Sequence, residues 1–124
     1  PSPQDGSACK RMCMLLRWMV RPADGVDLGL WHMLRPDQLV VPVDRHIGRI
    51  ACLLGFTDTD VATWRNAERI TAALRRYDAY DPVKYDFSLC HLGITEGCRG
   101  IREACCQACP VRPWCLPEIK GNKR

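Results

Sequence analysis

The sequence contains no long run of hydrophobic residues, no internal repeat and no low-complexity segment. No stretch approaches the roughly 18 consecutive apolar residues of a transmembrane helix, so we expect no membrane partner. No secretory signal pattern is found, and the number of cysteines is odd, at nine. Both observations argue against a disulfide framework and favour thiols in a reducing, cytoplasmic environment.

The excess of positive charge is small: 18 Lys and Arg residues against 14 Asp and Glu residues give a net charge of +4. This charge is compatible with a nucleic-acid partner but does not require one. A length of 124 residues suffices for one domain. The sequence begins "PSPQDGS" without a methionine, which leads us to expect the C-terminal part of a longer chain or a trimmed start.

Helical periodicity is present through most of the chain and predicts an all-α fold. Segment "GSACKRMCMLLRWMVR" predicts a helix that is capped by Ser7 and stopped by Pro22. "DGVDLGLWHMLRPDQ" predicts a turn and a short helix, and "LVVPVD" an extended segment in which Pro42 disfavours a central strand. Three further helices are predicted in "DRHIGRIACLLGF", "DVATWRNAERITAALRRYD" and "DPVKYDFSLCHLGI". The residues predicted to face the core include Met12, Leu15, Leu16, Met19, Trp18, Trp31, Trp64 and Phe87.

A cluster of cysteines follows the last predicted helix, in "GCRGIREACCQACPVRPWC". Its spacing is Cys98-x7-Cys106-x2-Cys109-x5-Cys115, or x6 and then x3 if Cys105 replaces Cys106. Four thiolates can hold a [4Fe–4S] cluster or a Zn²⁺ ion. A single C-x2-C pair flanked by two separate cysteines favours the [4Fe–4S] cluster, because zinc sites usually combine two such pairs. We favour Cys106 over Cys105 because it preserves the x2-x5 spacing.

This loop resembles the C-x6-C-x2-C-x5-C loop of the endonuclease III branch of the helix-hairpin-helix DNA glycosylases, with one extra residue in the first interval. "VPVDRHIGRIACLLG" resembles the "VDTHVxRV" and "VPVDVH" segments of that superfamily, which also contains the 8-oxoguanine glycosylases. "DGSACKRMCMLLRWM" resembles the hairpin and helix "PGVGxKTA", although Asp5 and Ala8 depart from it. The chain is also similar over residues 5–95 to an uncharacterised bacterial family with "GSACKRxxxxLRWMVR", "DLGLW" and "DPVKYDF".

The resemblance implies a catalytic role for two residues, Lys10 as the nucleophile and Asp44 as the essential acid. It implies a DNA-repair glycosylase with AP-lyase activity that removes a damaged base, such as an oxidised purine, from duplex DNA. We expect a monomer associated with the nucleoid. The candidate DNA contacts are Gly6, Arg45, Arg49, Arg99, Arg102 and Arg112.

The expected organisation is a helical glycosylase-like domain over residues 1–95, a cluster loop over 96–116 and a disordered basic tail over 117–124. Two alternatives stay open at this point. One is a DNA-binding protein of the same fold without catalytic activity. The other is a zinc-stabilised interaction domain without a DNA partner.

Overall fold

The computed structural model describes residues 1–101 and 103–116, and the predicted basic tail lies outside them. Four α-helices are formed: α1 (Lys10–Val20), α2 (Arg45–Leu53), α3 (Trp64–Arg75) and α4 (Asp86–Ile94). Short 3₁₀ helices lie at Pro3–Asp5, Pro36–Gln38, Pro82–Tyr85, Ala104–Gln107 and Arg112–Trp114. The described residues form no β-strand, only an isolated bridge between Ser7 and Thr63. The all-α prediction is therefore confirmed for these residues.

The core is built around the contact between α2 and α4, with α3 packed against the Pro82–Tyr85 turn. The hydrophobic periodicity of α2 and α3 predicts their buried faces correctly. The extended segment before α2 adds Val41 and Val43, which are almost completely buried. No helix in the described part of the chain is long and apolar enough to cross a membrane. The buried apolar residues of α2, α3 and α4 are Ile47, Ile50, Ala51, Leu53, Ala67, Ile70, Leu74, Leu89 and Leu92.

Helix α1 differs most from the sequence prediction. Met12 and Trp18 are 57% and 42% exposed, whereas Cys13, Arg17 and Val20 are buried. The prediction that Met12 and Leu15 face the core is therefore wrong, although Leu16 of the same predicted face does pack against the core. Two arginines on the opposite face find buried acidic partners instead. The predicted cap is also wrong: the residue that precedes α1 is Cys9, whose side chain makes no capping hydrogen bond. Leu15, Trp31 and Phe87, which were also predicted in the core, are exposed, and Trp64 is partly buried.

A buried network of ion pairs fixes α1 against the rest of the protein. Arg17 pairs with Asp86 at the start of α4 and with Asp27, while Arg21 pairs with Asp27 and forms two hydrogen bonds of 2.9 and 2.8 Å to Asp81. The side chain of Asp27 is completely buried. The side chains of Arg17 and Arg21 are only 4% and 9% exposed. Buried charges are tolerated only when they are paired and hydrogen-bonded, so this network determines which face of α1 is buried.

The segment between α1 and Pro36 forms a loop, and the short helix predicted there is not found among its residues. The loop turns back onto the end of α1, where Leu28 N–H donates to Trp18 O over 2.7 Å and Trp31 N–H to Met19 O over 2.7 Å. Gly29, at φ 62°, lies so close to this turn that a Cβ atom would be 3.0 Å from a backbone nitrogen. Backbone contacts and the pairing of Asp27 therefore replace helical hydrogen bonding in this loop.

Candidate active site and cysteine-lined cavity

The segment before α1 positions the first candidate residue. A 3₁₀ turn leads into Gly6, whose φ of 79° lies in the left-handed region that glycine tolerates. The carbonyl of Gly6 accepts a hydrogen bond of 3.1 Å from Trp64 N–H, and the neighbouring Ser7 bridges to Thr63. These contacts attach the segment to the start of α3. Gly6 itself is exposed, so its backbone is accessible from solvent.

Lys10 is the first residue of α1, and its side chain is 45% exposed. The preceding residue, Cys9, has φ 47°, the only positive φ of a non-glycine residue in the described chain. Such a conformation costs free energy for a residue with a Cβ atom, and it persists only where the surroundings impose it. The contacts on both sides, with α3 and through α1, supply that constraint and fix the direction in which Lys10 leaves the backbone.

The structure brings Lys10 and Asp44 into direct contact, although they lie 34 positions apart in the chain. Lys10 Nζ donates to Asp44 Oδ2 over 2.6 Å. The other oxygen, Oδ1, accepts hydrogen bonds of 2.9 and 3.0 Å from the backbone N–H groups of His46 and Ile47, so that Asp44 also caps α2. The carboxylate therefore serves both as a helix cap and as the partner of the lysine.

The ionisation of Asp44 reflects these contacts. Burial alone would raise the pKa of Asp44, but the hydrogen bond from Lys10 and those from the α2 backbone hold it below the ordinary value. On α4, burial raises the pKa of Asp86, although Arg17 opposes the effect. Burial and the nearby charges of Asp44 and Asp86 raise the pKa of the Cys90 thiol. Asp44 is consequently ionised at neutral pH, in a partly buried environment that contains further acidic groups.

The predicted DNA contacts differ in their surroundings. Gly6, Arg45 and Arg112 are exposed. The guanidinium of Arg99 pairs with Glu103, and Arg102 lies outside the described residues. These exposed groups lie on three different segments, and the structure shows no contact that joins them.

Arg49 instead connects α2 to the cysteine loop. Its Nη2 donates to the backbone carbonyl of Cys98 over 2.6 Å and lies 3.2 Å from His46 Nδ1. A Cβ atom on Gly100 would come within 2.8 Å of the Arg49 side chain, so the loop needs a glycine at this close approach. Sequence reasoning did not find this role, since nothing local in the sequence links an arginine to a carbonyl 49 positions later.

All five cysteines of the terminal cluster line one cavity of about 250 Å³. Its inner wall is apolar and comes from Ile50 and Leu53 of α2 and Leu92 of α4. The loop is attached to this wall by Cys98 N–H, which donates to Leu92 O over 3.1 Å, and by Leu116 N–H, which donates to Leu53 O over 2.7 Å. The cysteines that line the cavity are Cys98, Cys105, Cys106, Cys109 and Cys115.

The dimensions of this cavity bear on what it could hold. The cavity is partly open to solvent, and Glu96, Glu103, Gln107 and Arg112 line it together with the thiols and aliphatic side chains. A tetrahedral Zn²⁺ site requires sulfur atoms that converge to about 2.3 Å from one point. In residues 1–101 and 103–116, no three His, Cys, Asp or Glu side chains converge in this way. The five thiols of the loop nevertheless share one cavity.

Comparison with known families identifies a match to most of the chain. Residues 1–95, which contain α1 to α4 and the Lys10–Asp44 pair, match the model of a family described as a protein of unknown function, DUF2400. The cysteine-rich loop lies beyond the matched residues. No curated protein and no solved structure matches the chain.

Proposed function

The chain belongs to the DUF2400 family, and we propose that it is a DNA base-excision glycosylase with AP-lyase activity, of the helix-hairpin-helix type. The proposed substrate is duplex DNA that contains a damaged base, with an oxidised purine as the first candidate. The single observation that carries the proposal is the contact of 2.6 Å between Lys10 Nζ and Asp44 Oδ2. The resemblance assigns these two residues to one catalytic pair, and the fold places them together.

The chemistry that we propose starts from this pair. An enzyme that acts on a base within a duplex must first flip the nucleotide out of the stack. The Lys10 amine, after its proton has passed to a base such as Asp44, attacks C1′ of the sugar. The bond between C1′ and the base nitrogen breaks, and the base leaves with its electron pair and takes up a proton. The lysine nitrogen then releases a proton, and the sugar ring opens as the C1′–O4′ bond breaks and O4′ takes up a proton. The Schiff base formed in this way can lose the 2′ proton and the 3′ phosphate, which nicks the strand.

Asp44 is suited to support this reaction. Its pKa is held low, so that it carries a negative charge at neutral pH. Its side chain is 22% exposed, and a negative charge in a partly desolvated position stabilises positive charge that develops on the sugar. The two hydrogen bonds from the α2 backbone hold its carboxylate in one orientation. Asp44 therefore does not need to reorient as charge develops.

Exposed groups support DNA binding. Gly6 is exposed, although its N–H already donates to Pro3 O over 3.0 Å. Contacts to phosphate position a protein on the duplex without reading the sequence of bases. Arg45 follows Asp44 directly and is exposed on the first turn of α2. Arg112, at the cysteine-lined cavity, offers another exposed positive charge. We propose that these groups contact the phosphate backbone.

We further propose that Cys98, Cys106, Cys109 and Cys115 hold a [4Fe–4S] cluster, which would stabilise the C-terminal loop. The support is the shared cavity, its volume and its apolar inner wall. The loop has two short 3₁₀ turns and no α-helix among its described residues, so it has little packing of its own. Analysis of iron, sulfide and zinc in the purified protein tests this assignment and distinguishes it from the zinc alternative.

Borohydride trapping on duplex DNA with an abasic site or an 8-oxoguanine tests the activity. Lys10→Gln should abolish the covalent adduct. Lys84→Gln is the matched control, because Lys84 also forms an ion pair of 2.6 Å with an aspartate, Asp78, and is similarly exposed. The control should trap as well as the wild type.

Two results would contradict the proposal. An adduct that persists in Lys10→Gln would place the nucleophile elsewhere. A wild-type protein that binds the duplex but forms no adduct on either substrate would leave a DNA-binding protein without lyase chemistry. Asp44→Asn adds a separate test, since the amide can still cap α2 but removes the charge. It should slow base removal more than the reaction at a preformed abasic site.

A further inference from the structure

The cysteine-lined cavity has five thiols for the four positions of a cluster. Three of the cysteines, Cys98, Cys109 and Cys115, pack against the hydrophobic core. Cys98 is held by its own N–H bond to α4 and by the 2.6 Å hydrogen bond that its carbonyl accepts from Arg49. These three cysteines provide fixed corners of the site.

The other two, Cys105 and Cys106, are neighbours on the 3₁₀ turn Ala104–Gln107 and lie outside the core cluster. The hydrogen bonds that the structure describes for this turn are local. Cys106 N–H donates to Glu103 O over 3.0 Å, and Glu103 N–H in turn donates to Cys106 Sγ over 3.5 Å. A turn that is held mainly by its own residues can reorient at lower cost than one that is packed into the core.

The geometry of a 3₁₀ helix makes the two thiols alternatives. With three residues per turn, adjacent side chains point about 120° apart, so both cannot occupy one ligand position at the same time. Cys106 is half-buried and receives an N–H···S hydrogen bond, a feature that also tunes cluster sulfurs, whereas Cys105 is exposed. Both nevertheless line the cavity.

We propose that the fourth ligand position is shared, with Cys106 as the ligand in the observed arrangement and Cys105 as its replacement after rotation of the turn. The proposal rests on the cluster site proposed above. In the exchange, the metal–sulfur bond to Cys106 breaks and one to Cys105 forms. The proton of the incoming thiol passes to the outgoing thiolate, so the exchange needs no oxidant or reductant.

The test compares iron and sulfide content in the full chain carrying Cys105→Ser, Cys106→Ser, both changes together, or Cys109→Ser. Cys109→Ser is the matched control, because it removes a fixed corner that has no neighbouring thiol on its turn. We expect Cys105→Ser to keep the wild-type content. Cys106→Ser should keep most of it, with a changed electron paramagnetic resonance spectrum of the reduced cluster. The double variant and Cys109→Ser should lose it by on the order of tenfold or more.

Alkylation of the loaded proteins followed by mass spectrometry gives a second readout, which reports on each thiol separately. In the loaded wild type, Cys105 should be labelled and Cys106 protected. In loaded Cys106→Ser, Cys105 should become protected. The reverse labelling pattern in the wild type would overturn the proposal, and so would a Cys106→Ser protein as depleted as Cys109→Ser.

The metal content of the wild type separates failure of this inference from failure of the cluster proposal. If the wild type contains iron and sulfide and Cys106→Ser loses both, only the proposal that two cysteines share the ligand position is contradicted. Zinc without sulfide in the wild type would contradict the cluster assignment. The zinc content of the same variants would then test whether Cys105 and Cys106 share one ligand position. A wild-type protein that binds neither iron nor zinc would contradict both the cluster assignment and the shared ligand position.

Discussion

Replacement of Arg17 by methionine should destabilise the protein more than almost any other change of a single charge. Arg17 is the hydrogen-bond partner of Asp86, and its side chain is 4% exposed against 7% for Asp86. Removal of one partner of a buried ion pair typically costs about 3–5 kcal/mol, because the other charge is left buried without compensation. Asp27 would keep Arg21, so the loss falls mainly on Asp86. A cost of this size is a large fraction of the stability of a small domain.

The effect should depend on pH in a definite direction. Burial already raises the pKa of Asp86, and Arg17 opposes this shift, so the Arg17→Met variant should favour the protonated acid still more. A carboxyl whose pKa is higher in the folded than in the unfolded state binds protons on folding, so its contribution to stability improves as the pH falls. The deficit of Arg17→Met in the free energy of unfolding should therefore shrink between neutral and mildly acidic pH.

Urea unfolding followed by circular dichroism measures this deficit. Arg11→Met is the control, because Arg11 lies on the exposed face of the same helix and its loss should change stability by no more than about 0.5 kcal/mol. A second replacement, Asp86→Leu, should restore much of the loss in the double variant. The reasoning is refuted if Arg17→Met costs no more than Arg11→Met, or if its cost is independent of pH.

Three further predictions concern the site and the loop before Pro36. Asp44→Ala should destabilise α2 by about 1 kcal/mol and Asp44→Asn by less. The pKa of Asp44 is lower in the folded than in the unfolded protein, so the difference in thermal midpoint between the wild type and Asp44→Ala should be largest above the unfolded-state pKa of about 3.9. This difference should vanish as the pH falls through the folded-state pKa. Arg49→Met should release the Cys98 carbonyl and speed limited proteolysis of the cysteine loop; unchanged proteolysis with weaker duplex binding would instead make Arg49 a DNA contact. Gly29→Ala should lower the thermal midpoint further than Gly25→Ala, because both have positive φ but only Gly29 is crowded by backbone; equal losses would contradict the crowding.

The sequence predicts those parts of the fold that are determined by residues close to one another in the chain. Helices α2 and α3 have one apolar face each, and the cap formed by Asp44 follows from its position before the helical pattern. Ile47 and Ile70 are buried for the same reason. In these helices, local propensity and core packing favour the same arrangement, so periodicity suffices.

Helix α1 could not be predicted in this way. Its sequence has apolar residues on more than one face, and the face that is buried contains Arg17 and Arg21. The partners of Arg17 lie 10 and 69 positions away and Asp81, a partner of Arg21, lies 60 positions away, so only the fold brings these groups close. The cost of burying a guanidinium is decided by those distant carboxylates. Met12 and Trp18 are therefore exposed although an apolar face would normally pack inward.

The same distinction between local and long-range determinants applies to the candidate site. The fold shows the contact between Lys10 and Asp44 and the common location of the five loop cysteines, whereas the catalytic and cluster-binding roles that the resemblance implies stay predictions. The role of Arg49 had no signal in the sequence, because a contact with a backbone carbonyl leaves no trace in the type of the partner residue. The choice between Cys105 and Cys106 likewise depends on the orientation of one short turn, which spacing alone does not determine.

The long connection between Lys10 and Asp44 has a structural reason of its own. Asp27, within that connection, is completely buried and pairs with both arginines on the inner face of α1. Lys10 and Arg17 are seven residues apart on the helix, hence on the same face. The rotation of α1 that satisfies the arginines therefore also points the lysine toward Asp44. A shorter connection without this aspartate would leave Arg21 with fewer acidic partners, so the connection contributes to the position of the lysine as well as joining two helices.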